Sequence, residues 1–313
     1  MPIQLEKAKE LAPFTTFKLG GPAQYFIEVT NLTELLELLE LGQVHGLPIF
    51  ILGGGSNLLI RDDGFAGVVV RICLDACAID RDALTVTIGA GRAMPQLVAE
   101  LCGAGFGCLE WAGGLPGTFG GAVRGNAGCF GREIKDITIS VRALNLQTRE
   151  LRSFTNAECT FTYRTSYFKL QPEWLIVEAT LTLVSGDVRM LTAAMTEKVN
   201  FRRERHPLEF PNAGSIFKNV PVEQASAAII ELATSRGKIK QDPFAVVPAA
   251  FIIDTCGLRG TTSGGAEVSM KHANFIVNVR QAHARDVLDL IALVKERVKT
   301  RFDTILEEEI QIV

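Results

Sequence analysis

The stretch that decides how this sequence folds reads Gly113-Gly114-Leu115-Pro116-Gly117-Thr118-Phe119-Gly120-Gly121-Ala122 and continues, after three residues, with Asn126-Ala127-Gly128. Of the 29 glycines in the 313-residue chain, 11 fall between positions 103 and 131. Glycine loses more conformational freedom on folding than any other residue, so a dense run is costly. We therefore expect this loop to lie against a flat or charged ligand rather than to be a purely structural connection.

A second glycine loop stands earlier in the chain, where a predicted buried strand at 49–52 runs into Gly53-Gly54-Gly55-Ser56-Asn57. Consecutive glycines leave backbone N–H groups open to an anion and permit positive φ angles. No lysine follows, so the loop is not a Walker A motif. On this loop alone, a tight turn that needs glycine is as good an explanation as a phosphate cradle, but two such loops can hold the two ends of a dinucleotide.

The elements around these loops predict an α+β fold. Strands are expected at 24–29, 49–52, 68–72, 84–88, 139–146, 174–183, 275–279 and 309–313. Helices are expected from a cap at Thr30 or Asn31 through Leu41, and at 94–102, 187–204, 248–256 and 284–302. We expect a domain of residues 1–190, in two subdomains of about 1–75 and 76–190, and a second domain of residues 191–313.

Composition excludes several classes of protein. With 32 Lys and Arg against 35 Asp and Glu, the net charge is −3, which gives no reason to expect bulk affinity for nucleic acid or membrane surfaces. No apolar run is long enough to cross a bilayer, and the polar first residues predict no signal peptide, so we expect a cytoplasmic protein. Seven scattered cysteines without a C-x-x-C pair, beside four histidines, predict reduced thiols and no metal site.

Five motifs occur in order along nearly the whole chain: GGGSN (53–57), GGLPGTFGGAV with NAG (113–128), TYRTSYFK (162–169), PNAGSIFKN (211–219) and LEEEI (306–310). The paired glycine loops resemble the flavin-binding domain of the vanillyl-alcohol-oxidase (PCMH) type. All five together resemble the UDP-N-acetylenolpyruvoylglucosamine reductases. The resemblance implies an FAD-binding domain in two subdomains and a C-terminal α+β substrate-binding domain.

The resemblance also implies an activity. Members of this family are bacterial cytoplasmic enzymes of peptidoglycan precursor synthesis that bind FAD non-covalently. They use NADPH to reduce the enolpyruvyl ether of UDP-N-acetylglucosamine to UDP-N-acetylmuramate. Two alternatives stay open: another FAD oxidoreductase of the same fold acting on an alcohol or sugar, and a nucleotide-sugar binding protein without catalysis.

The chemistry of such a reduction selects the candidate catalytic residues. Hydride arriving at C3 of the double bond leaves negative charge at C2, so the site needs a cation and a proton donor. By their place in the motifs, the resemblance implies that Arg164 stabilises the charge, that Ser215 donates the proton and that Glu309 is the acid/base residue. If the segment is extended, Glu307 shares a face with Glu309, and Glu307 is the alternative.

The remaining site residues follow from the same resemblance. The residues expected to bind the cofactor lie in the two glycine loops: Gly53, Gly54, Gly55, Ser56, Asn57, Gly113, Pro116, Gly117, Thr118, Gly120, Gly121, Asn126 and Ala127. Those expected to bind the substrate are Lys218, Asn219 and His272. Arg124 and Gly125 stand where the family more often carries a larger apolar residue. The short stretch after Arg164 places the chain with members that lack an extra tyrosine-bearing loop.

Overall fold

The computed structural model describes residues 3–241 and 244–313. The helices of this part are α1 Leu32–Glu40, α2 Met94–Gly103, α3 Phe119–Arg124, α4 Tyr167–Leu170, α5 Val188–Arg205, α6 Ala227–Ser235, α7 Ala249–Thr255 and α8 Ala284–Phe302.

The strands up to α4 are β1 Glu6–Glu10, β2 Pro22–Val29, β3 Ile49–Leu52, β4 Leu58–Leu59, β5 Phe65–Ile72, β6 Cys77–Asp80, β7 Thr85–Gly89, β8 Phe106–Gly107, β9 Gly128–Cys129, β10 Arg132–Glu133, β11 Thr138–Asn145 and β12 Leu151–Thr155. Those after it are β13 Trp174–Thr182, β14 Val184–Ser185, β15 Val220–Pro221, β16 Lys240–Gln241, β17 Ala245–Val247, β18 Thr262–Ser263, β19 Ala266–Val268, β20 Ile276–Asn278 and β21 Gln311–Ile312.

The chain divides into two compact units that are not contiguous in sequence. The first comprises Met1–Lys9, Ala23–Gly54 and Ala66–Arg202, and the second Glu10–Pro22, Gly55–Phe65 and Arg203–Val313. The sequence suggested contiguous domains that meet between residues 190 and 191. The compact units differ from this because two early segments belong to the second unit.

The first unit is built on two sheets. Strands β1-β2-β5-β3 form a four-stranded sheet in which β3 runs parallel to β5, with Ile49 opposite Val68. Strands β12-β11-β13-β7-β6 form an antiparallel five-stranded sheet. Both sheets contribute to one apolar core, which includes Val70, Ile88 and Phe154. Helix α2 joins this core because its apolar residues recur at helical spacing.

The second unit packs helices α6, α7 and α8 with two three-stranded sheets, β15-β17-β16 and β18-β19-β20. Helix α8 begins with a capping box of His283 and Asp286, and the carboxylate of Asp62 accepts hydrogen bonds from the N–H groups of Ala284 and Arg285 at 2.8 and 3.1 Å. The terminal strand β21 pairs in parallel with β4, the strand that follows the first glycine loop. This pairing attaches the end of the chain to a segment more than 240 positions earlier.

Most predicted elements are confirmed within one or two residues, including β3 and α8, whose limits agree at both ends. The terminal strand is shorter than expected, since pairing covers Gln311–Ile312 rather than 309–313. Within the described part of the chain, no helix combines the length and apolar character that a bilayer span requires.

All seven cysteines are free thiols. Burial raises the pKa of Cys102 to about 11 and that of Cys108 and Cys159 to about 12. These three thiols stay uncharged at neutral pH and pack in the core of the first unit as small apolar groups.

Candidate active site

Gly53 and Gly54, the part of the first glycine loop that belongs to the first unit, meet the second glycine loop. A Cβ added to Gly54 would lie 2.6 Å from Cα of Gly117, and one added to Gly53 would lie 2.6 Å from Oγ1 of Thr118. A side chain at 54 would collide with backbone and separate the loops, so packing requires glycine there, whatever the loops bind. A side chain at 53 would need only the hydroxyl of Thr118 to move.

Other glycines of the second loop are also packed against protein. A Cβ on Gly120 would lie 2.6 Å from Cβ of Ala90, and one on Gly113 would collide with the carbonyl oxygen of Met195. Gly121 is different: it is exposed, and the nearest protein atom to its added Cβ is Oγ1 of Thr118 at 3.6 Å. Packing within the protein therefore does not require glycine at position 121.

The two loops present backbone donors at one place. Among the residues that the structure describes, the N–H groups of Gly54, Gly117 and Thr118 have no hydrogen-bond acceptor. The contact between the loops brings these donors together, since the added Cβ of Gly54 would also lie 3.1 Å from N of Thr118. Clustered backbone N–H groups bind phosphate oxygens. This donor set and the open surface at Gly121 fit the diphosphate of FAD.

The remaining cofactor candidates have varied surroundings. Gly55 packs against the carbonyl of Phe14 with φ of +61°, and the chain passes from the first unit to the second between Gly54 and Gly55. Ser56 is half-buried and Pro116 is exposed. The amide of Asn57 donates to the carbonyl of Glu309 at 3.0 Å.

Asn126 and Ala127 hold the end of the second loop in place. The side chain of Asn126 is fully buried; its Nδ2 donates to the carbonyl of Thr162 at 3.0 Å, and its Oδ1 accepts from N of Lys135 at 3.0 Å. The backbone N–H of Ala127 donates to the carbonyl of Ala122. Both polar atoms of the Asn126 side chain are engaged within the protein, so this side chain positions the end of the loop.

Arg164 lies at the tip of a tight turn in the first unit. Thr162 and Thr165 exchange backbone hydrogen bonds of 3.0 and 3.1 Å, and Arg164 has φ of +56°. Nζ of Lys169 donates to the carbonyl of Arg164 at 2.7 Å, which fixes the turn. Since Asn126 bonds to the carbonyl of Thr162, the structure brings the second glycine loop and the Arg164 turn together.

Ser215 and Glu309 are brought together in the second unit. The N–H of Glu309 donates to the carbonyl of Ile216, next to Ser215, at 2.7 Å, and Phe217 pairs with Glu308 in an antiparallel bridge. Gly214 has φ of +79°, and no atom of the described residues lies within 4 Å of an added Cβ. The segment of Ser215 therefore has open space beside it and Glu309 on the neighbouring backbone, whereas Arg164 belongs to the other unit.

The three consecutive glutamates have different surroundings. Glu307 is exposed and forms an ion pair with Lys218 at 3.1 Å, and Glu308 forms one with Lys295 at 2.8 Å. Glu309 is half-buried, and both its backbone N–H and its carbonyl are hydrogen-bonded. The backbone of Glu309 is therefore held on both sides, and the choice between Glu309 and Glu307 as the acid/base residue stays a prediction.

The substrate candidates also lie in the second unit. Oδ1 of Asn219 accepts from N of Ala249 at 3.1 Å, so it supports the start of α7. His272 packs against the ring of Phe275, with the ring centroids 4.7 Å apart, and its Nδ1 is buried without a hydrogen-bond partner among the described residues. Burial lowers the pKa of His272 to about 4, helped by the charges of Arg259 and Lys240, so its ring is neutral at physiological pH.

Sequence reasoning missed Asn274, which positions the Ser215 segment. This side chain is buried; its Oδ1 accepts from N of Phe217 at 3.0 Å, and its Nδ2 donates to the carbonyl of Phe217 at 2.8 Å. One amide thus pairs with both backbone groups of a single residue, as a neighbouring strand would. The only available signal was an asparagine at the start of a predicted apolar strand.

Comparison with family models defines the class of protein. Residues 23–152 match the model described as "FAD binding domain", and residues 206–313 match "UDP-N-acetylenolpyruvoylglucosamine reductase, C-terminal domain". With the mixed helix and strand content, this is an α+β protein with an FAD-binding domain of the PCMH type and a C-terminal domain. The chain is an FAD-dependent oxidoreductase.

Relatives narrow the class to one family. UDP-N-acetylenolpyruvoylglucosamine reductase 2 of Symbiobacterium thermophilum is 36% identical over 99% of this chain and 92% of its own length. The reductase of the same name from Anoxybacillus flavithermus is 35% identical over 99% of this chain and 94% of its own length. The crystal structure of the Thermus caldophilus reductase, 30% identical, superposes with a TM-score of 0.76 and covers 99% of this chain and 98% of that one. The chain belongs to the UDP-N-acetylenolpyruvoylglucosamine reductase family.

Proposed function

We propose that this enzyme reduces the enolpyruvyl ether of UDP-N-acetylglucosamine to UDP-N-acetylmuramate, with NADPH as the hydride donor. The proposal places this reaction in cytoplasmic peptidoglycan precursor synthesis. The observation that carries the proposal is the pairing of the Ser215 segment with Glu309, which puts a candidate proton donor and a candidate acid/base residue on neighbouring backbone in the second unit.

Bound FAD supplies the hydride that reaches C3 of the substrate double bond. The roles of the protein side chains follow from the charge that this leaves behind. The guanidinium of Arg164 binds the substrate carboxylate through two parallel hydrogen bonds and stabilises the negative charge that spreads into it from C2. Its fixed turn holds the backbone of this cation in place before substrate arrives.

Ser215 donates the proton to C2. Its hydroxyl has no hydrogen-bond partner among residues 3–241 and 244–313, and Gly214 leaves space beside it for substrate. A serine hydroxyl is a weak acid, so its proton transfer needs charge nearby to stabilise the oxygen. Glu309 returns a proton to this site and completes the acid/base pair.

Stopped-flow spectroscopy of the flavin tests the proposal. NADPH added without oxygen should bleach the flavin spectrum, and the enolpyruvyl nucleotide should restore it quickly, whereas alcohols and sugars should not. Ser215→Ala should bleach at the normal rate, and its reoxidation by substrate should slow by about 10²- to 10⁴-fold, the usual contribution of a general acid. Ser235→Ala, which changes an exposed serine at the end of α6, is the control.

Two results would contradict the proposal. Rapid reoxidation by an alcohol or sugar, with none by the enolpyruvyl nucleotide, would show that the substrate class is wrong. Normal reoxidation of Ser215→Ala by the nucleotide would agree with the proposed substrate but exclude Ser215 as the proton donor.

A further inference from the structure

Arg124 is the only charged residue in the two glycine loops, positions 53–57 and 113–128. The remaining groups in these loops are backbone, hydroxyls, amides and apolar side chains. FAD carries a negatively charged diphosphate. Within the loop residues, Arg124 is therefore the one candidate counter-charge. Arg202 of α5 also contacts the second loop, but its guanidinium already donates to the carbonyl of Gly113 and to Sγ of Cys129.

The helix places Arg124 beside the open surface of the second loop. Arg124 ends α3, three residues after Gly121, and residues three apart on a helix have Cβ positions about 5–6 Å apart on one face. The opposite face of α3 is buried through Phe119, Gly120 and Val123. Gly121 and Arg124 thus share the face that the core does not cover.

The guanidinium of Arg124 lacks an internal counter-charge. The side chain is half-buried, and among the described residues it makes neither an ion pair nor a hydrogen bond. Burial lowers the pKa of Arg124, and no acidic group of the described residues counteracts this. A charge that is partly buried and unpaired is destabilising, which makes such a group a candidate for contact with a ligand of opposite charge.

The backbone of Arg124 is held independently of its side chain. Oγ of the buried Ser166 donates to the carbonyl of Arg124 at 2.7 Å, and the next turn is fixed by Asn126. A substitution of the side chain therefore leaves the loop attached to the Arg164 turn. The guanidinium can be removed without dismantling its surroundings.

We propose that Arg124 is the residue that supplies positive charge to bound FAD at the glycine loops. The inference rests on the proposed placement of FAD against Gly121, and it adds a charged contact that neither glycine loop otherwise provides. The contacted group is either the diphosphate or the isoalloxazine ring, whose negative charge rises on reduction. The diphosphate is anionic in both redox states, whereas the ring becomes anionic when it is reduced.

The test compares Arg124→Gln and Arg124→Lys with Arg142→Gln. Arg142 is an exposed arginine of β11 that pairs with Glu178 at 3.0 Å, so its substitution removes the same charge from the same unit. The dissociation constant of FAD is measured by flavin fluorescence on the apoprotein, the reduction potential on the loaded enzyme, and the melting temperature on both forms.

If the diphosphate is the partner, Arg124→Gln weakens FAD binding by roughly 10- to 100-fold, the value of a hydrogen bond to a charged group. High salt then weakens wild-type binding more than binding by the variant. If the ring is the partner, the reduction potential becomes more negative instead. Arg124→Lys retains part of either effect, because it keeps the charge without the planar fork. Arg142→Gln changes neither quantity.

The apoprotein separates this role from a structural one. Removal of an unpaired buried charge leaves the melting temperature of apo Arg124→Gln unchanged or raises it, while the stabilisation gained on FAD binding shrinks. If FAD affinity and potential both stay at wild-type values, or if only affinity for the product nucleotide falls, the proposal is wrong. If Gly121→Ala also leaves FAD binding unchanged, the placement of FAD at the loop fails as well, so the two failures are distinguishable.

Discussion

Gly120 and Gly121 are adjacent in α3, but only Gly120 packs closely against another described part of the chain. Exchanging each for alanine is therefore the sharpest available test of the cofactor site. A methyl group at position 120 meets Ala90, with Cβ atoms 2.6 Å apart. Within the part of the chain that the structure describes, a methyl group at position 121 meets only Oγ1 of Thr118 at 3.6 Å, which is ordinary van der Waals contact. Neither glycine has a positive φ angle, so backbone strain does not complicate the comparison.

The two substitutions are expected to change the stability of the apoprotein in opposite directions. Overpacking at position 120 costs about 1–3 kcal/mol of stability. Alanine at position 121 gains up to about 1 kcal/mol from helix propensity, which raises the melting temperature by roughly 2–4 °C for a unit of this size. For FAD binding, the variant at position 121 is expected to be impaired. Its methyl group lies on the binding surface and costs about 1–3 kcal/mol of affinity, or roughly 10- to 100-fold in the dissociation constant.

The assay is thermal unfolding of the apoprotein together with fluorescence titration by FAD. Gly121→Ala should be the more stable apoprotein and the weaker FAD binder. If it binds FAD as tightly as the wild type, FAD does not lie against this turn. If Gly120→Ala melts at the wild-type temperature, the argument from its contact with Ala90 is wrong.

Three further predictions concern the second unit. The pKa of His272 is lowered from 6.5 to about 4, so between these pH values the ring is protonated in the unfolded chain and neutral in the native protein. The free energy of unfolding should therefore fall by up to about 3 kcal/mol from pH 6.5 to pH 4, and urea unfolding of His272→Gln should not show this loss. Asp62→Ala removes the hydrogen-bond acceptor at the start of α8 and should lower the free energy of unfolding by about 1–2 kcal/mol in the same urea assay. Backbone amides in the first turn of α8 should exchange faster, and unchanged exchange would exclude the capping role of Asp62. Glu309→Gln should slow flavin reoxidation by about 10²- to 10⁴-fold. Glu307→Gln, which removes an exposed ion pair, should change the rate less than about fivefold. The reverse order would make Glu307 the acid/base residue.

Local elements could be predicted from the sequence because their signals are local. Helix α8 follows from apolar residues at helical spacing over 284–302, and β3 from a short apolar run that glycine ends. The glycine loops and the order of the five motifs were equally visible, and they were sufficient to indicate the flavin domain and the family.

The individual roles of the glycines could not be predicted in this way. Gly120 and Gly121 are neighbours of the same type, yet one packs against Ala90 and the other is exposed. The difference depends on which distant residue folds onto each position. Likewise, the three glutamates at 307–309 look alike in sequence, and only their partners, Lys218, Lys295 and backbone groups, distinguish them.

By itself, the sequence determined the longer helices and strands, the presence of two glycine loops and the residue types of the candidate site, since each is written in a short window of residues. Tertiary structure decided the rest. It assigned residues 10–22 and 55–65 to the second unit, paired β21 with β4, and left Arg124 half-buried with no counter-charge among the described residues. The physical reason is that burial and pairing are properties of contacts between distant segments, and no local pattern records which segments will meet.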